Sequence, residues 1–546
     1  MARSYAHGVG RQPLLGQTIG EALEAAAVRF GDREALVVRH QGVRLTYAQL
    51  DAEVDRLARA LLAHGIAAGD RVGAWSPNCA EWTLLQLATA RTGAILVNVN
   101  PAYRTSELSY ALRQSGTRLL FAPRMFKTSN YADMVAAVAP DVPTLEHTVW
   151  IGDPSWDAFV AGGADIGDEA LTAREGSLAP GDPINIQYTS GTTGSPKGAT
   201  LSHVNILNNG YLVGAGCRYT EDDRVCIPVP FYHCFGMVMG NLGAITHGAC
   251  MVIPAPAFDP GATLAAVAEE RCTSLYGVPT MFIAELDHPD FDTYDLTSLR
   301  TGIMAGSPCP IEVMKRVITD MHMDEVTICY GMTETSPVST QTAADDPLDK
   351  RVGTVGRVHP HLEVKVADAV TGETCAIGET GELCTKGYSV MLGYWDDPVR
   401  TADVLDADGW MHTGDLATID DEGYVNIVGR IKDMIIRGGE NVYPRELEEF
   451  LYGHPDIADD QVIGVPDERY GEELMAWVIA RPGADLEGDA VREYCRGRFA
   501  HFKVPRYVKV VEEFPMTVTG KVQKFKLRDA AIAELGLEDA AKVRTA

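Results

Sequence analysis

The sequence predicts an α/β protein. A large N-terminal domain of parallel, helix-flanked sheets includes a small β-barrel-like part and is followed by a small α+β C-terminal domain. Three observations predict this. Between Asp223 and Tyr330, short apolar runs at 225–227, 251–253, 274–276, 302–304 and 326–329 take turns with helical patterns, which argues for a parallel sheet covered on both faces. After Gly353 the texture changes to short strands between Gly-rich turns, at 362–366, 381–384 and 424–428 behind the turn 420–423, as in an antiparallel, barrel-like piece. Beyond Arg430 a stretch of about a hundred residues has the size of a separate domain, which places the domains at 1–430 and 431–546.

From the N-terminus, Thr46 and Gln49 form a capping-box pattern, Leu50, Val54, Leu57 and Leu61 recur at helical spacing, and Gly65 is placed to stop the helix. Strand-like runs follow at 94–99, 118–121 and 184–187, and Ser202 is placed to cap a helix. The last segment carries a helical pattern over 444–451, strands near Val462 and Trp477, a helical pattern over 489–499 and a strand at 507–511.

A length of 546 residues requires more than one core. The formal net charge of −28 argues against nucleic acid or an anionic membrane as partner, because those contacts need clustered Lys and Arg. A polyanionic ligand must therefore find a local basic patch, and one run supplies it: between Arg492 and Arg528 ten basic residues stand against three acidic ones. Such a run reads either as a solvated face or as a receiver of phosphates. No apolar stretch follows Met1 and none is long enough to span a membrane, so a cytoplasmic protein is expected. The 11 cysteines are scattered without a C-x-x-C pair, which points to reduced core residues rather than to disulfides or zinc.

The chemistry centres on the stretch 188–198, Tyr-Thr-Ser-Gly-Thr-Thr-Gly-Ser-Pro-Lys-Gly. Its glycines and hydroxyls can fold donors around a polyphosphate with Lys197 as the point charge, although composition alone does not separate it from a surface turn. It lacks the Walker spacing. Two more polar loops fall where strands end, at 305–308 and 330–334. No G-x-S-x-G elbow or H-E-x-x-H run is present.

The stretch 188–198 closely resembles the signature loop of the adenylate-forming superfamily, which includes acyl-CoA synthetases, luciferases and nonribosomal adenylation domains. Further motifs follow in that superfamily's order: 330–334, 412–415, 429–430, 431–441 and 519–521. The resemblance implies that Thr189, Ser190, Gly191, Thr192, Thr193, Gly194 and Lys197 receive the phosphates of ATP. It places Gly306, Ser307, Pro308, Tyr330 and Gly331 around the nucleotide, Thr333 on the α-phosphate and Glu334 on Mg²⁺. Asp415 and Arg430 meet the ribose. Lys432 is the hinge of a mobile C-terminal domain, with Arg437, Gly438, Gly439 and Glu440 in a loop that serves coenzyme A. Lys521 is the catalytic lysine that neutralises charge on the reacting oxygens.

The acyl pocket implied by the resemblance is walled by Tyr232, His233, Phe235, Gly236, Met237, Gly306, Gly331, Met332 and Val338. Relatives that activate acetate carry Trp where Gly331 stands, so a deep apolar slot is expected. His233 either gates it or is a buried hydrogen-bonded histidine. Segments 98–103, 200–203, 232–234, 388–395 and 524–528 resemble the medium-chain fatty acyl-CoA synthetases. The implied reaction joins a small-molecule carboxylic acid to coenzyme A through an acyl-AMP, with a medium-chain fatty acid favoured. An aryl-CoA ligase, a luciferase-like oxygenase and a non-catalytic nucleotide-binding protein stay open beside it. A homodimer is likewise left open.

Overall fold

A computed structural model describes residues 3–189, 196–307, 309–438, 440–496, 498–516 and 522–541. The chain forms two compact units, one of Ala6–Val364 with Thr385–His412 and one of Met1–Tyr5, Lys365–Cys384 and Thr413–Ala546.

The larger unit holds two sheets. The seven-stranded sheet runs in the order Gly393–Tyr394, Lys197–Ser202, Pro183–Thr189, Ile95–Asn98, Arg71–Ala74, Leu119–Pro123 and His147–Ile151. Its last five strands are parallel and its first two are antiparallel additions at one edge. The nine-stranded sheet is parallel from Glu325–Gly331 through Thr301–Ala305, Ser274–Gly277, Arg224–Cys226 and Cys250–Ile253 to Glu34–Val38. Antiparallel strands close it on both sides. Each of the five apolar runs between Asp223 and Tyr330 is thus a strand of one parallel sheet, as the alternation predicts.

One apolar cluster unites helix residues Leu23, Leu50 and Leu87 with Leu36, Met251 and Ile303 of the nine-stranded sheet and Leu96, Leu119 and Leu201 of the seven-stranded one. The other face of the seven-stranded sheet buries Val97, Leu120 and Ile186 with Leu108, Leu112 and Tyr131 from helices. Both faces are therefore covered, which explains why these strands read as unbroken apolar runs. The helix Tyr47–Ala63 starts on the Thr46–Gln49 capping box, and His203–Gly216 on a second box made by Ser202 and Asn205. One element was not legible: Lys197–Ser202 is a strand between the loop and that helix. Its residues 199–202 are all buried, so they show no alternation to reveal a strand.

A five-stranded half-barrel sheet, in the order Tyr5–His7, Leu362–Ala367, Gly381–Gly387, Met411–Ile419 and Val425–Arg430, is the antiparallel piece expected after Gly353. Within the smaller unit a second sheet pairs Ile457–Asp467 with Gly471–Ala480 and adds Tyr507–Val511 in parallel. The helix Pro444–Tyr452 packs on it through Leu447 and Leu451. The helix expected over 489–499 ends at Cys495, because Arg496 turns extended and bridges Phe499. Among the described residues no helix is long and apolar enough to cross a membrane.

Glu285, on the helix Pro279–Leu286, is fully buried, and neither carboxyl oxygen has a hydrogen-bond partner among the described residues. Burial pushes its pKa well above the ordinary 4.5. An unfolded chain ionises this group above pH 4.5 while the folded chain keeps it protonated, so the group removes stability as pH rises. Melting temperatures recorded from pH 5 to pH 8 should therefore rise for Glu285→Gln relative to wild type, with the gap widening toward pH 8.

Candidate active site

The strand Pro183–Thr189 ends where the signature stretch begins, and the chain returns along it as Lys197–Ser202, with Thr189 opposite Lys197 and Tyr188 opposite Gly198. The stretch is therefore a β-hairpin connection whose two ends are fixed by the sheet. Residues 190–195, which include Ser190, Gly191, Thr192, Thr193 and Gly194, lie outside the described residues. At the flanks, the Tyr110 hydroxyl donates to Pro196 O at 3.0 Å and the Tyr188 hydroxyl to Gln114 Oε1 at 2.6 Å. The edge strand Gly393–Tyr394 pairs with the other side of Lys197–Ser202, Tyr394 facing Ala199. Lys197 Nζ stands 4.9 Å over the Tyr394 ring.

Tyr330 and Gly331 close the strand Glu325–Gly331, and a single turn of 3₁₀ helix, Thr333–Thr335, follows. Met332 N donates to Pro337 O at 3.0 Å and to Thr335 Oγ1 at 3.1 Å, while Thr335 Oγ1 donates to Pro337 O at 2.7 Å. Val338 is held by Asn209, whose Oδ1 accepts its N–H at 3.0 Å and whose Nδ2 donates to its carbonyl at 2.9 Å. This tight turn buries Thr333 and Glu334, which are 7% and 5% exposed. Glu334 Oε1 accepts the Tyr394 hydroxyl at 2.8 Å and Thr189 Oγ1 at 3.4 Å. Among the described residues Oε2 accepts nothing. A hard carboxylate oxygen, anchored through one atom and open at the other, fits Mg²⁺.

A Cβ built on Gly331 would lie 1.8 Å from Pro337 O. A side chain at 331 thus meets backbone before it meets any slot, so glycine is required by the turn itself. Gly306 follows the neighbouring strand Thr301–Ala305 at φ +95°, with Ser307 after it and Pro308 outside the described residues.

The segment 232–237 lies against the ends of the seven-stranded sheet. Asn98 Nδ2 donates to Tyr232 O at 3.0 Å and to Met237 Sδ at 3.1 Å. Gln187 Nε2 donates to Met237 Sδ at 3.1 Å and to Asn185 Oδ1 at 2.9 Å. The Cys234 thiol donates to Gln187 Oε1 at 3.2 Å; burial pushes its pKa up to about 12, with the Glu334 charge adding to the shift. Phe235–Leu242 is wound as a π-helix, a form that recurs at functional sites. Phe235 packs its ring 5.5 Å from Tyr276, and a Cβ on Gly236 would lie 2.5 Å from Pro230 O. His233 is half-buried and its Nδ1 accepts Phe235 N–H at 3.2 Å. The Tyr232 hydroxyl is buried without a partner among the described residues.

In the smaller unit, Asp415 and Arg430 face each other across paired strands, with Arg430 Nε 2.9 Å from Asp415 Oδ1. Gly414, at φ +71°, turns the chain so that its N–H reaches Glu382 Oε1 at 3.0 Å. Lys432 lies in the turn Ile431–Asp433; burial, and next the Arg430 charge, lower its pKa. Arg437 makes two hydrogen bonds to the buried Glu473, at 2.7 and 2.8 Å, and stacks 5.0 Å over the Tyr470 ring. Gly438 and Glu440 belong to the hairpin turn after it, Gly438 at φ +61°. Gly439 and Lys521 lie outside the described residues. Arg437, Arg492, Arg496, Phe499, His501 and Arg506 line a cavity of about 560 Å³.

Sequence reasoning missed Tyr394 and Gln187. Tyr394 stands in the run 388–395, but only the edge pairing with Ala199 brings it to Lys197 and Glu334. Gln187 reads as one polar residue in an apolar strand, and its alignment with Cys234 and Met237 needs the tertiary fold.

The architecture is that of an adenylate-forming enzyme. The family model for the AMP-binding enzyme matches residues 23–395 and that for the AMP-binding enzyme C-terminal domain matches 446–521, so the chain belongs to the AMP-binding enzyme family. It is 47% identical over 543 residues to the putative acyl-CoA synthetase YngI of Bacillus subtilis (strain 168), covering 96% of this chain and 99% of the relative. It is 44% identical over 549 residues to the mitochondrial medium-chain acyl-CoA ligase ACSF2 of Rattus norvegicus, covering 96% and 89%. The crystal structure of ATP-bound MatB from Rhodopseudomonas palustris superposes with a TM-score of 0.81 at 31% identity, covering 94% of this chain and 99% of that one.

The Gly331 geometry yields a direct test. Gly331→Ala should displace the 332–337 turn and with it Glu334, reducing ATP-dependent turnover by about tenfold or more, since small misplacements of reacting groups are costly. Turnover and melting temperature of the purified variant check this.

Proposed function

We propose that the protein is an AMP-forming acid–thiol ligase that turns a carboxylic acid, ATP and coenzyme A into acyl-CoA, AMP and pyrophosphate, a medium-chain fatty acid being the favoured acid. The observation that carries the proposal is the cluster in which Thr189 and Tyr394 anchor the Glu334 carboxylate beside Lys197 at the mouth of the phosphate hairpin. The names of the ligase relatives favour the acid and the thiol.

In the first half-reaction a carboxylate oxygen attacks the α-phosphorus of ATP. The bond from that phosphorus to the bridging oxygen breaks and pyrophosphate leaves, giving acyl-AMP. Hydroxyls and N–H groups of 189–194 and the Lys197 ammonium hold the phosphates, Thr333 bonds the α-phosphate, and Asp415 with Arg430 accepts and orients the ribose hydroxyls. Glu334 Oε2 would hold Mg²⁺, which supplies charge neutralisation to the phosphates. Lys521 neutralises the charge that builds on the reacting oxygens. In the second half-reaction the thiolate of coenzyme A attacks the acyl carbon and AMP leaves with the electron pair of the mixed anhydride. On this reading residues 1–430 are the adenylation domain, and residues 431–546 turn about Lys432 between the half-reactions. Arg492 and Arg496 of the 560 Å³ cavity take the phosphates of coenzyme A, and Arg437 shapes its wall. The slot walled by Tyr232, His233, Phe235 and Met237 takes the acyl chain.

Incubation with ATP, Mg²⁺, coenzyme A and a mixture of straight-chain and aromatic acids should yield AMP and medium-chain thioesters, identified by mass spectrometry. Release of ADP, or no thioester from any acid, overturns the proposal. Lys521→Ala should abolish acyl-AMP formation while largely sparing thioester formation from preformed acyl-AMP, the two half-reactions being assayed separately. Arg492→Glu should raise the KM for coenzyme A by about tenfold, as loss of a charge-assisted phosphate contact does, and leave ATP–pyrophosphate exchange unchanged.

A further inference from the structure

We infer that Tyr394 is a positioning residue of the adenylation half-reaction: its hydroxyl holds Glu334 by Oε1 so that Oε2 faces the cation accompanying ATP, and its ring face stations the Lys197 ammonium. This rests on the function proposed above. Tyr394 is 6% exposed, in a two-residue edge strand whose partners are fixed by the backbone. The phenol and the carboxylate meet at 2.8 Å, and the ammonium lies 4.9 Å over the same ring. One side chain therefore touches both charged groups that the reaction needs, one at its edge and one on its face.

The chemistry of the contacts gives each a distinct task. A phenol carries its proton at neutral pH, so Tyr394 is the donor and the Glu334 carboxylate the acceptor. The donor fixes one carboxylate oxygen and leaves the other for a hard cation. A cation held over an aromatic face makes no hydrogen bond to the ring. A phosphate oxygen offers a stronger, charge-assisted bond, so Lys197 is stationed near its ligand and can leave the ring for it.

A purely structural role is separable. Met391 N–H donates to Glu334 O at 2.9 Å and Trp395 N–H to Gly198 O at 2.7 Å, so the main chain on both sides is held without the phenol. Replacing the hydroxyl frees the carboxylate alone.

The test compares wild type, Tyr394→Phe and Tyr394→Leu by calorimetric binding of ATP with and without Mg²⁺, in the absence of acid and coenzyme A, together with the Mg²⁺ dependence of ATP–pyrophosphate exchange and the melting temperature. Tyr394→Phe should bind metal-free ATP within about twofold of wild type but MgATP about tenfold more weakly, with a comparable rise in the Mg²⁺ midpoint, the size expected for losing an outer-shell partner. Its melting temperature should stay close to that of wild type. Tyr394→Leu should weaken metal-free ATP as well. An unchanged MgATP affinity and Mg²⁺ midpoint in Tyr394→Phe, or an equal loss for both forms of ATP, overturns the inference. Because binding is measured without acid or thiol, a wild type that prefers MgATP yet makes no thioester sinks the proposed reaction and not this role for Tyr394.

Discussion

The backbone ladder that inserts Lys197–Ser202 between Pro183–Thr189 and Gly393–Tyr394 is the constraint on which the contacts among Thr189, Lys197, Glu334 and Tyr394 depend. Side chains alternate along a strand, so a slip of one residue would turn Lys197 to the opposite face. The register prevents this on both sides: Thr189 is opposite Lys197, and Tyr394 is opposite Ala199. Two further backbone bonds, Leu392 N–H to Thr200 O and Trp395 N–H to Gly198 O, continue the clamp past the ends of the edge strand. Main-chain hydrogen bonding thereby sets which side chains meet at this edge of the sheet, Lys197, Tyr394 and Glu334 among them.

The buried amides behind this hairpin do related work at higher stakes. Asn98, Asn185 and Gln187 are almost fully buried, and their side chains bond one another, Met237 Sδ and the Cys234 thiol. In an apolar interior each such group left unpaired costs on the order of 1–3 kcal/mol, so the network tolerates one arrangement of the segment 232–237 and penalises others. Thioether and thiol are soft, weak partners. They let two buried amides be satisfied by neutral, polarisable side chains of the segment 232–237.

Much of the fold was legible because its signals are local. The capping box at Thr46 and the cap at Ser202 need only neighbouring residues, and the five runs between Asp223 and Tyr330 are apolar because successive residues of each are buried. What escaped the sequence depends on long-range pairing. The strand Lys197–Ser202 is short, contains glycine and is stabilised by its neighbours on both sides, so propensity could not reveal it. The end of the helix Gly488–Cys495 is set by the bridge from Arg496 to Phe499. Lys197, Glu334, Asp415 and Arg430 were legible as motif residues. The contact of Tyr394 with Glu334 spans 60 positions and exists only once the sheet edge has formed.

A chain with net charge −28 that handles a polyanion must solve an electrostatic problem locally. Salt screens exposed charges beyond about 8 Å at physiological ionic strength, so the distant carboxylates matter little and the few cations near a phosphate matter most. The basic side chains of this protein differ in how firmly their resting contacts hold them. In the larger unit Lys197 rests on the face of the Tyr394 ring. Arg437 is the contrast, because two hydrogen bonds fix its guanidinium on the buried Glu473 and its plane lies over Tyr470, which suits it to shape the wall of the basic cavity rather than to travel with a ligand. A phosphate oxygen would displace the ring contact of Lys197 far more readily than the buried pair of Arg437, so the strength of the resting contact sets which cation can change partners.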